Sequence, residues 1–184
     1  TALAEARLAT ELSRPIKDPQ MLNPMLAFNA HVALVAGERA EAGALADELV
    51  ETWSRIGIRQ PHELSVAPWA FRELGRSQQV LEALASETGG LWRWHQAAKQ
   101  IASDDLVGAA ETFEQIGSVP DEAYTRLKAA EALVAVGNRA EADRQLRFAL
   151  PVFAHRPDPA GCGSCFPRCL LSATTNPCGR RRRR

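Results

Sequence analysis

The chain has 184 residues, of which 46% are hydrophobic, and its 22 Lys and Arg residues balance its 22 Asp and Glu residues. That length is enough for one domain with a sizeable core or for one short repeat array. Residues 1–155 carry 15 basic against 21 acidic side chains, which argues against a nucleic-acid-binding fold. No apolar run reaches the roughly 20 residues that span a bilayer.

The first 14 residues are predicted to form a helix, the second helix of a preceding, truncated repeat unit. They contain no basic stretch followed by an apolar one, so they do not have the pattern of a signal peptide. The chain starts within this helix and without methionine, which we interpret as a fragment of a longer polypeptide. Residues 1–155 contain no cysteine, which is typical of a cytoplasmic protein.

Two stretches 100 residues apart align without gaps and indicate an internal repeat. They begin at Val32 and Ala132 and read VALVAGERAEAGALADELVETW and ALVAVGNRAEADRQLRFALPVF. Each contains an apolar helix, a turn at Gly37 or Gly137, and a second helix with small or apolar residues at i, i+4, i+7, i+8 and i+11. This spacing is that of one buried helical face.

Further turns at Gly75 and Asp104 divide the intervening sequence, so the mean spacing is close to the roughly 34 residues of a tetratricopeptide repeat. The sequence therefore predicts an all-α, tetratricopeptide-like α-solenoid of about four helix pairs. The predicted units lie near 1–20 (partial), 21–57, 61–88, 90–117 and 119–153. A disordered tail is predicted for residues 156–184.

Proline and capping residues set the expected helix ends. Asn23 before Pro24 is expected to be an N-cap, and Ser118 is expected to open the last unit. Pro68 lies seven residues after Pro61, so the helix there is expected to be kinked or to begin late. Pro151 is expected to end the last helix near residues 149–150.

The G-x-x-x-E-A turns resemble degenerate tetratricopeptide repeats. The run IASDDLVGAAETFEQIGSVPDEAYTRLKAAEALVAVGNRAEADRQL is more narrowly similar to the C-terminal helical region of large bacterial, actinobacterial-type signalling proteins. These are adenylate/guanylate cyclases and ATPase-containing transcriptional regulators. The resemblance covers about residues 1–150 and implies a non-catalytic interaction or regulatory module of a larger cytoplasmic protein. The chain contains no P-loop motif, so we expect any ATPase or cyclase activity to lie outside it.

The same resemblance implies that the first helix of each pair lines a concave groove for a protein, a peptide or a neighbouring domain. The residues that it places there are His31, Trp69, Arg72, Trp94, Tyr124 and Glu131. The alternative for both tryptophans is core packing at unit junctions. His31 has no second candidate ligand nearby in the sequence, so it does not predict a metal site.

Other patterns favour structure over catalysis. Asp104 and Asp105 are expected to cap a helix rather than form a carboxylate pair. The His62–Glu63 pair lacks the second histidine of a zinc-protease motif. The segment GGLWRWHQ is interpreted as packing, with a hinge or a partner contact as the alternative. We therefore expect no enzyme, cofactor or metal site in residues 1–155.

The tail has its own composition, with four cysteines spaced C-x2-C-x3-C-x8-C and five terminal arginines. One interpretation is a zinc site, and another is a basic arm for nucleic acid or an acidic partner. The composition favours a third, an out-of-frame end, with the true frame ending between Arg147 and Arg156. For the whole chain, the alternatives are a freestanding adaptor that binds a short peptide and a zinc- or nucleic-acid-binding protein that acts through the tail.

Overall fold

The computed structural model describes residues 1–58, 60–85 and 92–154, which are helical apart from turns and contain no strand. The helices are α1 Ala2–Ser13, α2 Pro19–Val35, α3 Arg39–Ile56, α4 Pro61–Leu74, α5 Ser77–Ala85, α6 Trp92–Ala102, α7 Leu106–Ile116, α8 Val119–Ala135 and α9 Arg139–Ala154. A short 3-10 turn, Arg14–Ile16, follows α1. The prediction of an all-α fold is confirmed. The predicted tail and its cysteines lie outside the described residues.

Consecutive helices pack on one another as hairpins. The pairs are α2 with α3, α4 with α5, α6 with α7, and α8 with α9. The first helices of neighbouring pairs also meet, since α4 contacts both α2 and α6. At the ends of the array, α1 packs on α2, and α8 packs on α7.

The turns share one backbone geometry. At each, a residue with positive φ is followed by an N–H group that donates to the carbonyl five residues earlier, over 2.7–3.1 Å. The positive-φ residues of the turns with this hydrogen bond are Gly37, Gly75, Asp104, Gly117 and Gly137. This left-handed closure satisfies carbonyls at the helix end and suits glycine. The predicted turns at residues 37, 75, 104 and 137 are confirmed.

The start of α2 differs from the prediction. Asp18 is the N-cap and accepts a hydrogen bond from the Gln20 N–H at 2.9 Å, so Asn23 and Pro24 lie within the helix. Asn23 is instead buried, and its amide bonds the Glu63 carboxylate. Pro24 removes only one early hydrogen bond, which the rest of this long helix tolerates.

The predictions of a late start for α4 and an early end for α9 are also wrong. Gln60 and Glu63 form a capping box around Pro61, where proline at the first position costs no hydrogen bond. Pro151 lies inside α9, which runs to Ala154. Both Pro151 and Arg147, whose carbonyl loses its partner, are exposed, so water can satisfy that carbonyl.

Two core clusters run through the array. The first joins α2 to α6 and is centred on Leu26, Leu49 and Phe71, which are fully buried. The second joins α4, α6, α7 and α8 and is centred on Ile101 and Phe113. Fully burying such side chains contributes about 1.5–3 kcal/mol each. These clusters fix the positions of the first helices, and with them the residues predicted to form the groove.

Candidate interaction surface

The residues predicted to line the groove all lie on the first helices of the pairs. His31 is on α2, Trp69 and Arg72 are on α4, Trp94 is on α6, and Tyr124 and Glu131 are on α8. Tyr124 contacts two of the others, His31 and Trp69. We call these three residues the aromatic cluster.

Tyr124 is the centre of the aromatic cluster. Its ring meets Trp69 edge to face, with centroids 5.2 Å apart, and meets His31 in the same way at 5.9 Å. Its hydroxyl oxygen lies 3.4 Å from His31 Nε2. Trp69 is only 3% exposed and belongs to the second core cluster, so core packing, the alternative considered for this tryptophan, describes its place beneath Tyr124. His31 and Tyr124 are half-buried. Side chains from three helix pairs, up to 93 residues apart, therefore share one surface.

Burial controls the charge of the aromatic cluster. It lowers the pKa of His31, because desolvation disfavours the imidazolium; Lys128 lowers this pKa further, and Glu73 opposes both. Burial also raises the pKa of Tyr124, so the phenol keeps its proton. The phenol can then donate to Nε2 of a neutral imidazole. Within the described residues, His31 Nδ1 is buried without a hydrogen-bond partner.

Two side chains of opposite charge, Lys128 and Glu131, lie beside Tyr124 and form the charged rim of the aromatic cluster. Lys128 Nζ lies 5.7 Å from the centroid of the Tyr124 ring and donates to Glu131 Oε2 at 2.9 Å. Arg72 donates to Asp104 Oδ1 at 2.6 Å, which ties α4 to the turn after α6. The predicted residues Arg72 and Glu131 thus lie in ion pairs of their own chain, each with one exposed carboxylate. Charges of both signs, on Lys128 and Glu131, therefore lie beside the aromatic cluster.

Trp94 is not part of the aromatic cluster. It packs against Phe113, with ring centroids 5.8 Å apart, and touches both core clusters. Core packing, the alternative considered for this tryptophan, describes its place. Asp105 caps α7 by accepting from the Gly108 N–H at 3.1 Å, as predicted. Residues 86–91, which include the two glycines of GGLWRWHQ, lie outside the described residues.

Sequence reasoning missed a buried carboxylate, Glu63, which links three helices. It is fully buried and accepts hydrogen bonds from the Trp53 indole at 2.7 Å and the Asn23 amide at 3.1 Å. Its other oxygen accepts from the Gln60 N–H at 3.0 Å. The sequence signal was the spacing Gln-Pro-x-Glu at a helix start, which is that of a capping box.

A buried arginine, Arg126, was missed as well. Its guanidinium pairs with Glu122 at 2.7 Å and Glu114 at 3.0 Å, donates to Gln145, and lies over the Phe148 ring at 4.5 Å. It therefore joins α7, α8 and α9. An arginine on the apolar stripe of α8, with an acid four residues before it, was the available signal. Both missed residues hold helices together rather than face a ligand.

Other kinds of site are scarce in the part of the chain that the structure describes. It contains no group of three or more His, Cys, Asp or Glu side chains placed to hold a metal ion. A cavity of about 180 Å³ between α1 and α3 is lined by paired charges, among them Arg14 and Glu48. None of the described helices combines the length and apolar character needed to cross a membrane.

No protein-family model, curated protein or solved structure shows a significant match to this chain.

Proposed function

We propose that this chain is a non-catalytic helical-repeat module for protein interaction or regulation, and that its partner-binding surface is the aromatic cluster with its charged rim. The observation that carries the proposal is the convergence of His31, Trp69 and Tyr124 from three helix pairs on one surface. Aromatic side chains provide large contact areas at little entropic cost and are enriched among residues that dominate binding energy.

The charges around the aromatic cluster support binding of a polypeptide. Lys128 and Glu131 lie beside Tyr124, so a donor and an acceptor flank an aromatic centre. A peptide backbone or a protein surface, with alternating apolar and polar groups, complements this arrangement.

We place the module in a larger cytoplasmic bacterial signalling protein, on the resemblance of its repeats to the helical regions of cyclases and transcriptional regulators. Tyr124 connects α8 with α2 and α4, so a partner that contacts Tyr124 changes the stability of that connection. A partner with different affinities for the connected and separated arrangements would shift their populations. Such a shift is how ligation would bias a neighbouring effector domain.

The second candidate is a freestanding tetratricopeptide-type adaptor that binds a short peptide on the same surface. The oppositely charged Lys128 and Glu131 favour it, because they can pair with charges of both signs along a peptide. The two functions differ in the ligand: the adaptor binds a free peptide, whereas the regulatory module binds a folded neighbouring domain. The zinc or nucleic-acid alternative depends on the tail, outside the described residues.

The test is selection of ligands on the immobilised chain, from a displayed random-peptide library and from folded domains of signalling proteins. We expect a saturable ligand whose affinity falls at least tenfold in the Lys128→Glu variant. The matched control is Arg144→Glu on α9, which reverses an exposed charge in an ion pair of the same i,i+3 type. Equal binding by Lys128→Glu and the parent chain would rule out this surface.

A further inference from the structure

The helix α8 is attached to the rest of the array in two different ways. It packs closely along its neighbours α7 and α9. It reaches the more distant α2 and α4 through Tyr124, whose ring contacts His31 and Trp69. Since one side chain makes both ring contacts, this second attachment can be broken while α8 stays packed on α7.

The hydrogen bonds available to His31 in this contact suit a neutral imidazole. Nε2 lies 3.4 Å from the Tyr124 hydroxyl, and Nδ1 is buried without a hydrogen-bond partner among the described residues. A protonated ring carries an N–H group at both nitrogens, so the group at Nδ1 becomes a charged donor that has no acceptor. A buried donor without an acceptor costs more free energy when it is charged.

The charges that face His31 come from α4 and α8. Burial lowers the pKa of His31, Glu73 of α4 opposes that effect, and Lys128 of α8 adds to it. The titratable group in contact with the ring is Tyr124, and burial raises the pKa of its phenol, which therefore stays protonated in neutral and acidic solution. Breaking the contact returns His31 to water, where the imidazolium is solvated.

We propose that the contact of Tyr124 with His31 and Trp69 is a pH-sensitive latch: it holds α8 against α2 and α4 while His31 is neutral, and protonation of His31 releases Tyr124. Because Tyr124 lies over Trp69, its release also uncovers an aromatic ring of the second core cluster. A partner of the aromatic cluster would then bind differently in neutral and mildly acidic solution, a consequence that rests on the proposed function.

A second pair of titratable groups lies where α4 and α8 begin. Burial raises the pKa of Asp121, while a hydrogen bond from Ser118 and the charge of His62 oppose that effect. A protonated His62 attracts the Asp121 carboxylate, so acid strengthens the contact between α4 and α8 at this end. The two histidines therefore act in opposite directions, which makes His62 a matched control for His31.

The experiment uses the full chain with 3-fluorotyrosine in place of tyrosine, since Tyr124 is the only tyrosine in the sequence. Fluorine NMR between pH 7.5 and pH 5, with a neutral paramagnetic chelate in solution, measures the exposure of this ring as line broadening. We expect the broadening to rise at least about twofold, reversibly, as the pH falls below the ordinary histidine pKa of 6.5. The His31→Gln variant should lose this pH dependence, and His62→Gln should keep it.

Equal exposure of Tyr124 at pH 7.5 and pH 5, or the same pH dependence in His31→Gln as in the parent chain, would overturn the latch. Circular dichroism follows the helices over the same range, and loss of helix together with exposure of Tyr124 would overturn it too, since Tyr124 would then leave only on unfolding. If His31→Gln does not fold, His31→Leu supplies another uncharged side chain. No partner is needed, so failure of the latch and failure of the proposed function are distinguishable.

Discussion

The pKa of His31 links the proposed binding surface to the pH dependence of stability. Its ring is held by Tyr124, and burial lowers its pKa below the ordinary value of 6.5. Between that lowered pKa and 6.5, the unfolded chain binds a proton that the folded chain does not. Titration of His31 therefore lowers the free energy of unfolding as the pH drops through this window and has no effect above it.

We expect the His31→Gln variant to lose this component of the pH dependence. Urea denaturation at a series of pH values from 7.5 to 5 would measure it, as the difference in slope between the variant and the parent chain. The control is His62→Gln, since His62 is exposed at the start of α4. An identical pH dependence in His31→Gln and the parent chain would show that the pKa of His31 is the same in the folded and the unfolded chain.

For single residues, the sequence predicts which helix a side chain lies on better than it predicts which side chains it contacts. His31, Trp69 and Tyr124 were chosen as groove residues from the resemblance to tetratricopeptide repeats, and their role in a groove stays a prediction. The resemblance could not predict that Tyr124 meets the other two, since that contact depends on the path of the whole array. Glu63 escaped prediction for a related reason: its burial depends on donors from two other helices.

At the scale of elements, turns were predictable and proline-containing helix ends were not. A turn with positive φ requires glycine or a similar residue, so the sequence marks it directly. Proline removes one hydrogen bond, and tertiary packing decides whether a helix tolerates that loss. Pro24, Pro68 and Pro151 all lie inside helices, where the packing of α2 and α4 or exposure to water at α9 compensates.

Two glycines close together in the sequence, Gly37 and Gly43, give a matched prediction. Gly37 has a φ of 86°, whereas Gly43 lies within α3, and an added Cβ meets nothing within 4 Å at either position. Gly37→Ala should reduce the free energy of unfolding by about 1 kcal/mol, because alanine is strained at positive φ. Gly43→Ala should increase it by about 0.5–1 kcal/mol, through helix propensity and a less flexible unfolded chain.

Chemical denaturation of both glycine variants measures these changes against the parent chain. Since neither site has steric conflict, the opposite signs isolate the backbone contribution. A stabilised Gly37→Ala variant would contradict the left-handed turn that separates α2 from α3.

At the scale of the whole molecule, Tyr124 adds a direct contact between helices that are far apart in the sequence. Repeat arrays usually have contacts between neighbouring units alone, which limits their cooperativity. Here α8 packs on α7 and α9, while Tyr124 reaches α2 and α4. This contact should make α8 and α9 unfold together with the first half of the chain.

We expect Tyr124→Ala to uncouple α8 and α9 from the rest of the molecule. Amide hydrogen exchange should become faster in residues 119–154 than in α2 and α4, and the denaturation transition should broaden. Tyr124→Phe is the control, because it keeps both ring contacts and removes only the 3.4 Å contact with His31. Uniform acceleration of exchange along the chain would show that the array already unfolds as one unit without Tyr124.

The paired charges on α1 and α3 also restrict how this array can assemble. Arg7 pairs with Glu41, and Arg14 pairs with Glu48. If α1 moved by seven residues along α3, Arg7 would meet Glu48, but Arg14 and Glu41 would both lose their partners. A slip of one residue would break both pairs. A single exposed ion pair contributes little free energy, so the alignment depends on both pairs forming together. Only one alignment satisfies both arginines, so the two ion pairs together favour that alignment over misaligned packing of similar alanine-rich helices.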